Sequence, residues 1–266
     1  SEEGSLLAAL AARIGRGNLD HRIALADLSD APVAEAFQMP LAEVENADVI
    51  VLVGCNPRHE APLLGHRIRK AWRKGGAKVV AINPIDFDLH FDLSARHIVR
   101  PSALVDALLA VGKAAGAALP GEPSSDALSV ADAQAVADLL KGAQRGLILL
   151  GESAATHPQA SWLRAGARAL AEASGARLNQ LSLGANALGL AQAGALPSAR
   201  SVAQMLAQPR KAWLLYGIEA EHDFADTPTA LRALGQGQVV AFTAYADETT
   251  RRMAQVMLPI GLAPEI

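Results

Sequence analysis

The chain has 266 residues, 51% hydrophobic and 19% charged, with a net charge of −3 and one cysteine. That length can bury a large core, as one big domain or two modest ones, and so apolar a chain is not a disordered one. The charge leaves no electrostatic footprint for nucleic acid. The apolar runs fall short of a membrane span, and a lone cysteine can neither build a disulfide framework nor ligate a metal cluster by itself.

The first expected element is an Ala/Leu helix over 6–14, ended by the region of Gly15 and Gly17. Polar loop follows over 18–32, then a short helix in "LAEVENA". "DVIVLVG" (48–54) is a β-branched run without alternation, as a parallel strand covered on both faces requires. "APLLGHRIRKAWRKG" (61–75) reads as an amphipathic helix with Leu63, Ile68 and Trp72 on one face and Lys70, Arg73 and Lys74 suited to its C-terminal dipole. "AKVVAINP" and "HIVRP" are further strands, and 102–119 is a helix. The Pro, Gly, Ser and acidic residues of 120–126 mark a linker. The pattern then restarts with helix 130–143, strand "RGLILLG", turn "ESAATHPQ", helix 160–175 and strand "ARLNQLS". After a Gly/Ala-rich loop over 184–197 come helix "SVAQMLAQ", strand "KAWLLYG", turn "IEAEHD", helix "TPTALRALGQ", strand "QVVAFTA", helix "DETTRRMAQ" and the run "VMLPI".

Strands alternating with helices imply two doubly wound, mainly parallel α/β units of three layers. The expected division is a first unit over 1–119, a linker and helix over 120–145, and a second unit over 146–266, cut short at its C-terminal end. There is no strict repeat, but each unit has an apolar strand ending in Gly and an acidic or Asn-containing turn. The sequence starts at Ser1 with neither initiator Met nor signal peptide and stops in "VMLPIGLAPEI", so it reads as a piece of a longer chain.

In such sheets ligands bind beyond the carboxyl ends of the strands. Four junctions qualify: Gly54-Cys55-Asn56, Asn83-Pro84-Ile85-Asp86, Gly151-Glu152-Ser153 and Gly217-Ile218-Glu219. Glycine would allow close backbone approach, Asn56 could add a hydrogen bond, and Asp86 stands where an acid could meet a ribose or a base. No G-x-G-x-x-G or Walker sequence is present, and tight turns with capping are the plainer reading. Cys55 reads as a small apolar filler, with a reactive thiol as its rival. His59 and His66 sit seven apart on one helix and His90 and His97 are isolated, all four without metal-ligand spacing. Asp20-His21-Arg22 is a charged loop, structural or catalytic. The basic face of Arg67, Arg69, Lys70, Arg73 and Lys74 is either solvated or docks an acidic partner. No Ser-His-Asp set emerges, and "GESAA" is not a nucleophile elbow.

Four segments, in order, resemble the molybdopterin oxidoreductase family of formate dehydrogenases and their relatives. They are "RIGRGNLDHR", "ADVIVLVGCNP", "HIVRPSALVDALL" and "TTRRMAQVMLP", and together they span nearly the whole chain. Within the family, "NPRHEAPLLGHRIRKAW" is similar to the branch formed by the large iron–sulfur subunits of bacterial NADH–quinone oxidoreductase, respiratory complex I. The resemblance implies a formate dehydrogenase-type fold kept while molybdenum chemistry was lost. Asn83-Pro84-Ile85 stands in place of Asp-Pro-Arg. Ser102-Ala103-Leu104 stands in place of Gly-Thr-Asp, leaving Asp106 displaced, and "GIEAEHD" lacks the Asn-Pro that follows the corresponding Gly.

On this reading no residue is catalytic and none binds metal. Gly54, Asn56, Asn83, Asp86 and Asp106 are at most a vestigial cofactor-binding rim. The fragment holds no cofactor: the iron–sulfur clusters belong to a missing N-terminal part, and molybdopterin is lost. The implied partners are other peripheral-arm subunits at the cytoplasmic face of the bacterial inner membrane, without nucleic acid or direct membrane insertion. Two alternatives stand beside it: a fragment of an active molybdopterin-dependent enzyme, and a non-catalytic nucleotide-binding module.

Overall fold

The structure is a computed structural model and describes residues 2–14 and 17–262. In chain order its main elements are α1 (Glu2–Arg13), β1 (Val49–Val53), α2 (Pro57–Glu60), α3 (Pro62–Gly75), β2 (Lys78–Asn83), β3 (Ala95–Ile98), α4 (Leu104–Ala115), α5 (Val130–Gly142) and β4 (Gly146–Leu150). There follow α6 (Glu152–Ala155), α7 (Ala160–Ser174), β5 (Arg177–Gln180), α8 (Ala187–Gln192), α9 (Val202–Ala207), β6 (Ala212–Tyr216), α10 (Thr227–Leu234), β7 (Gln238–Thr243), α11 (Glu248–Met253) and β8 (Val256–Pro259). Gly15, expected to help end the first helix, lies outside the described residues, as do the last four residues of the chain.

The chain folds into two compact units. The larger runs from Ser29 to Leu188, and the smaller joins the segment ending at Leu28 to the segment beginning at Gly189. Both sheets are parallel: five strands in the order β3-β2-β1-β4-β5, and three in the order β6-β7-β8. The expected class, α/β with parallel sheets, is the observed one.

The expected division of the chain is corrected. β4 pairs directly with β1, from Val49 opposite Gly146 to Val53 opposite Leu150, so 120–145 connects strands of one sheet. Its composition marks an exposed connection, and nothing in such a composition says which strands lie on either side of it.

In the larger unit, β1, β2 and β4 are buried almost throughout. Alternate residues feed two cores, with Val49, Val51 and Val53 in one and Ile50 and Leu52 in the other. This is why β1 shows no polar alternation. The smaller unit has one core, built on Trp213, Leu215, Val239, Ala230 and Leu234.

Two local expectations differ. The buried face of α3 is Leu64, Ile68 and Ala71, while Leu63 is 74% exposed. Positions 64, 68 and 71 keep helical phase, whereas 63 and 68 are about 140° apart. His59 and His66 occupy separate helices, because Ala61 leaves the helical region (φ −150°, ψ 78°) ahead of Pro62, as residues before proline do. In the expected loop over 184–197, the short helix α8 forms.

Candidate functional site

In the larger sheet the strand order reverses between β1 and β4, the place where open α/β sheets bind ligands. The two turns beyond these strands touch. Gly54 has φ +54°, and a Cβ there would lie 2.7 Å from the Ala154 amide nitrogen. A Cβ on Gly151 would lie 2.3 Å from Cys55 Cα. Only glycine permits this approach. Backbone bonds close the junction, from Gly151 N–H to Val53 (3.1 Å) and from Ser153 N–H to Gly54 (3.0 Å).

Glu60 lies at the centre of this junction. Its Oε1 accepts the Asn56 N–H at 2.5 Å and its Oε2 accepts the Glu152 N–H at 2.7 Å. Burial pushes its carboxyl up, aided by the Glu152 charge, against the pull of those two amides and the Cys55 thiol. The chain's own carboxylate thus stands on the turn amides that would otherwise be open to an anion. The smaller unit repeats the device after β6, where Glu219 N–H donates to Asp223 Oδ2 at 2.7 Å.

Asn83 is 1% exposed and both ends of its side-chain amide are hydrogen-bonded. Its Oδ1 accepts the Cys55 N–H (2.8 Å) and its Nδ2 donates to the Cys55 carbonyl (3.1 Å), tying the end of β2 to the turn after β1. Asn56 Oδ1 is buried with no hydrogen-bond partner. Gly54, Asn56 and Asn83 are therefore brought together. Asp86 and Asp106 have other work. Asp86 is exposed and pairs with Arg96 at 2.9 Å. Asp106 accepts from Ser124 N–H (2.9 Å), Ser124 Oγ and Ser125 Oγ (2.6 Å). Burial acts to raise its carboxyl, but these hydrogen bonds prevail and hold it low.

Beside the junction is a cleft of about 780 Å³, lined by Glu35, Phe37, Glu60, Glu152, Leu181 and Leu188 among others. Its size is that of a cofactor site, but its carboxylates oppose an anionic ligand. Cys55 is fully buried, and burial together with Glu60 pushes its thiol well up, so it is the apolar filler rather than a nucleophile. Asp20 and Arg22 form a buried bidentate pair (2.8 and 2.9 Å), and Asp20 also accepts the Val202 N–H, a structural arrangement. Arg67 and Lys70 of the basic face both meet Glu45, at 2.6 and 3.2 Å. Among the described residues, no three His, Cys, Asp or Glu side chains are placed to share a metal ion, and no helix is long and apolar enough to cross a membrane.

Glu60 was not singled out from the sequence. The signal was there in the spacing Asn56-Pro-x-x-Glu60, an acidic side chain one turn past a polar residue and a proline at a helix start.

The G subunits of the NADH-quinone oxidoreductases of Mycobacterium bovis and Mycobacterium tuberculosis are each 31% identical over 255 aligned residues, covering 83% of this chain and 28% of theirs. The mitochondrial NADH-ubiquinone oxidoreductase 78 kDa subunit of Neurospora crassa is 49% identical over 43 residues, 16% of this chain and 6% of its own. The chain thus spans little more than a quarter of the length of the bacterial relatives. Among solved structures, a chain of the formyltransferase/hydrolase complex of Methylorubrum extorquens, in complex with methylofuran, aligns with a TM-score of 0.62. It is 18% identical, over 97% of this chain and 76% of that one, a likeness of fold. The description of the molybdopterin oxidoreductase family matches residues 1–263, and the chain belongs to that family.

Proposed function

We propose that the chain is the non-catalytic, molybdopterin oxidoreductase-like part of a subunit of NADH–quinone oxidoreductase. Its parent carries electrons from NADH toward quinone through iron–sulfur clusters held elsewhere in the polypeptide. The observation that carries the reading is Glu60 on the amides of Asn56 and Glu152 at the switch point. A pyrophosphate-bearing cofactor would have to displace that carboxylate and then sit beside Glu35 and Glu152. The likeness to the two mycobacterial proteins supports the choice of parent. In this reading the residual rim of Gly54, Asn56, Asn83, Asp86 and Asp106 binds no pterin. The exposed Arg73 and Lys74 of α3 face other peripheral-arm subunits on the cytoplasmic side of the membrane.

The cleft volume favours a second reading, part of a working molybdenum enzyme. Metal analysis of the full-length parent, purified from its native membranes, separates the two. Abundant iron without molybdenum is the expected result. Stoichiometric molybdenum would overturn the first reading and establish the second.

A further inference from the structure

A smaller cavity of about 160 Å³ lies where α3 meets the connection between β2 and β3. His66 and Arg69 of α3, Arg58 of α2, and Leu89, His90 and Phe91 of the connection contribute to its wall. His66 and Arg69 are three residues apart and so share a helix face. Leu89 is buried in the core, and the Phe91 ring lies 6.0 Å from the Trp72 ring, which fixes the apolar side.

Asp88, outside the wall, ties together two residues of its polar side, Arg58 and His90. It lies 3.3 Å from Arg58 Nη1 and 3.3 Å from His90 Nδ1, and it accepts the His90 N–H at 3.0 Å. That last bond holds His90 at φ 60°, an uncommon conformation for a residue with a side chain. The same bond is the main reason the Asp88 carboxyl stays low. Among the described residues, Arg69 has no carboxylate within ion-pair distance. Among the described residues, the cavity wall therefore carries two guanidinium groups and no carboxylate, with Asp88 paired to Arg58 from outside it, before either imidazole takes a proton.

Guanidinium groups are the preferred protein donors to planar and tetrahedral oxyanions. The size narrows the choice further. Pockets for whole small molecules run from about 300 Å³ upward, while a cavity of about 150 Å³ admits one benzene-sized group.

We infer that this cavity binds a single phosphate-type oxyanion, free or as the terminal phosphate of a small ester, between Arg58 and Arg69 and against Leu89 and Phe91. The inference stands apart from the functional reading above, because it uses none of the switch-point residues.

The test is an amide NMR titration of the whole 266-residue chain with inorganic phosphate at low ionic strength, against sodium chloride of matched ionic strength. The expected result is saturable shifts around residues 58, 65–69 and 89–91, with a dissociation constant on the order of 1 mM. Arg69→Gln and Arg58→Gln should each weaken binding about tenfold while leaving the remaining spectrum folded. Glycerol phosphate binding more tightly than phosphate would identify the ester as the ligand form, and equal binding the free ion. Shifts that fail to saturate, that chloride reproduces, or that survive both substitutions would overturn the inference.

Discussion

Strands β1 and β6 are apolar over most of their length and each ends at a glycine turn, yet they meet different surroundings. Every residue of β1 is buried. In β6 only alternate residues are, with Trp213 and Leu215 inside and Leu214 43% exposed. β8 is exposed along its length, and its Val256, Met257 and Leu258 stand 46%, 38% and 41% open. The larger sheet sits between two cores and the smaller rests on one. Parallel sheets are ordinarily covered on both faces. A strand's hydrophobicity thus records the cover its sequence is built for, whereas its burial records the cover it has in this chain. The turns after β1 and β6 each set a carboxylate on a turn amide, but Glu60 joins two turns whereas Asp223 closes only its own.

The largest expected effect tests what holds the smaller unit with so little cover. Asp20→Ala would leave Arg22 buried without its bidentate partner, at a loss of about 3–5 kcal/mol. Denaturation followed through Trp213, the smaller unit's one tryptophan, reads it. A loss below about 1 kcal/mol would mean that the pair does not hold the unit. Burial raises the Asp20 carboxyl, but the bonds from Arg22 and Val202 outweigh it and the net shift is downward. Its contribution is therefore complete above the ordinary value of about 3.9 and fades as pH falls below that.

Next comes Glu60→Ala, which strands two amides of the larger unit and should cost about 2–4 kcal/mol, with Glu60→Gln recovering part of the loss. Here the sign reverses. The folded Glu60 carboxyl is raised, so its contribution is fullest below the ordinary value of about 4.3 and falls as pH rises through its folded value. Glu60→Gln should flatten that slope in urea titrations run at successive pH values. An unchanged slope would place the Glu60 charge outside the stability of the unit.

The smallest effect sharpens the comparison of faces. Leu214→Ala should cost about 1 kcal/mol, against about 2–5 for truncating a fully buried leucine such as Leu149. A loss above about 3 kcal/mol would mean that the Leu214 face is covered in solution.

Most of this fold was legible because parallel strands write themselves as local apolar runs. "DVIVLVG", "RGLILLG" and "QVVAFTA" need no partner to be recognised. Which strand pairs with which is a non-local matter, and no residue of 120–145 announces that β4 returns to β1. The break between α2 and α3 could have been read from Pro62, and the buried face of α3 from the phase of Leu64. The site was only half legible. Gly54, Asn56 and Asn83 stood out by residue type, but the partner of each is decided by backbone geometry. Asn83 bonds Cys55 from 28 positions away, and Glu60 reaches Glu152 across 92.

The tether at Asp106 bears on how the polypeptide could be divided. Two serines fasten the 120–126 stretch to α4, Lys113 meets Glu122 at 2.6 Å, and Gly121 packs against the ring of Trp162. On either side of that stretch, β1 and β4 stay joined by a ladder of five residue pairs. Covalent continuity and structural continuity therefore part company here. A chain nicked at this loop would be two polypeptides but still one sheet, and the seam that looks like a domain border is a place to open the molecule without taking it apart.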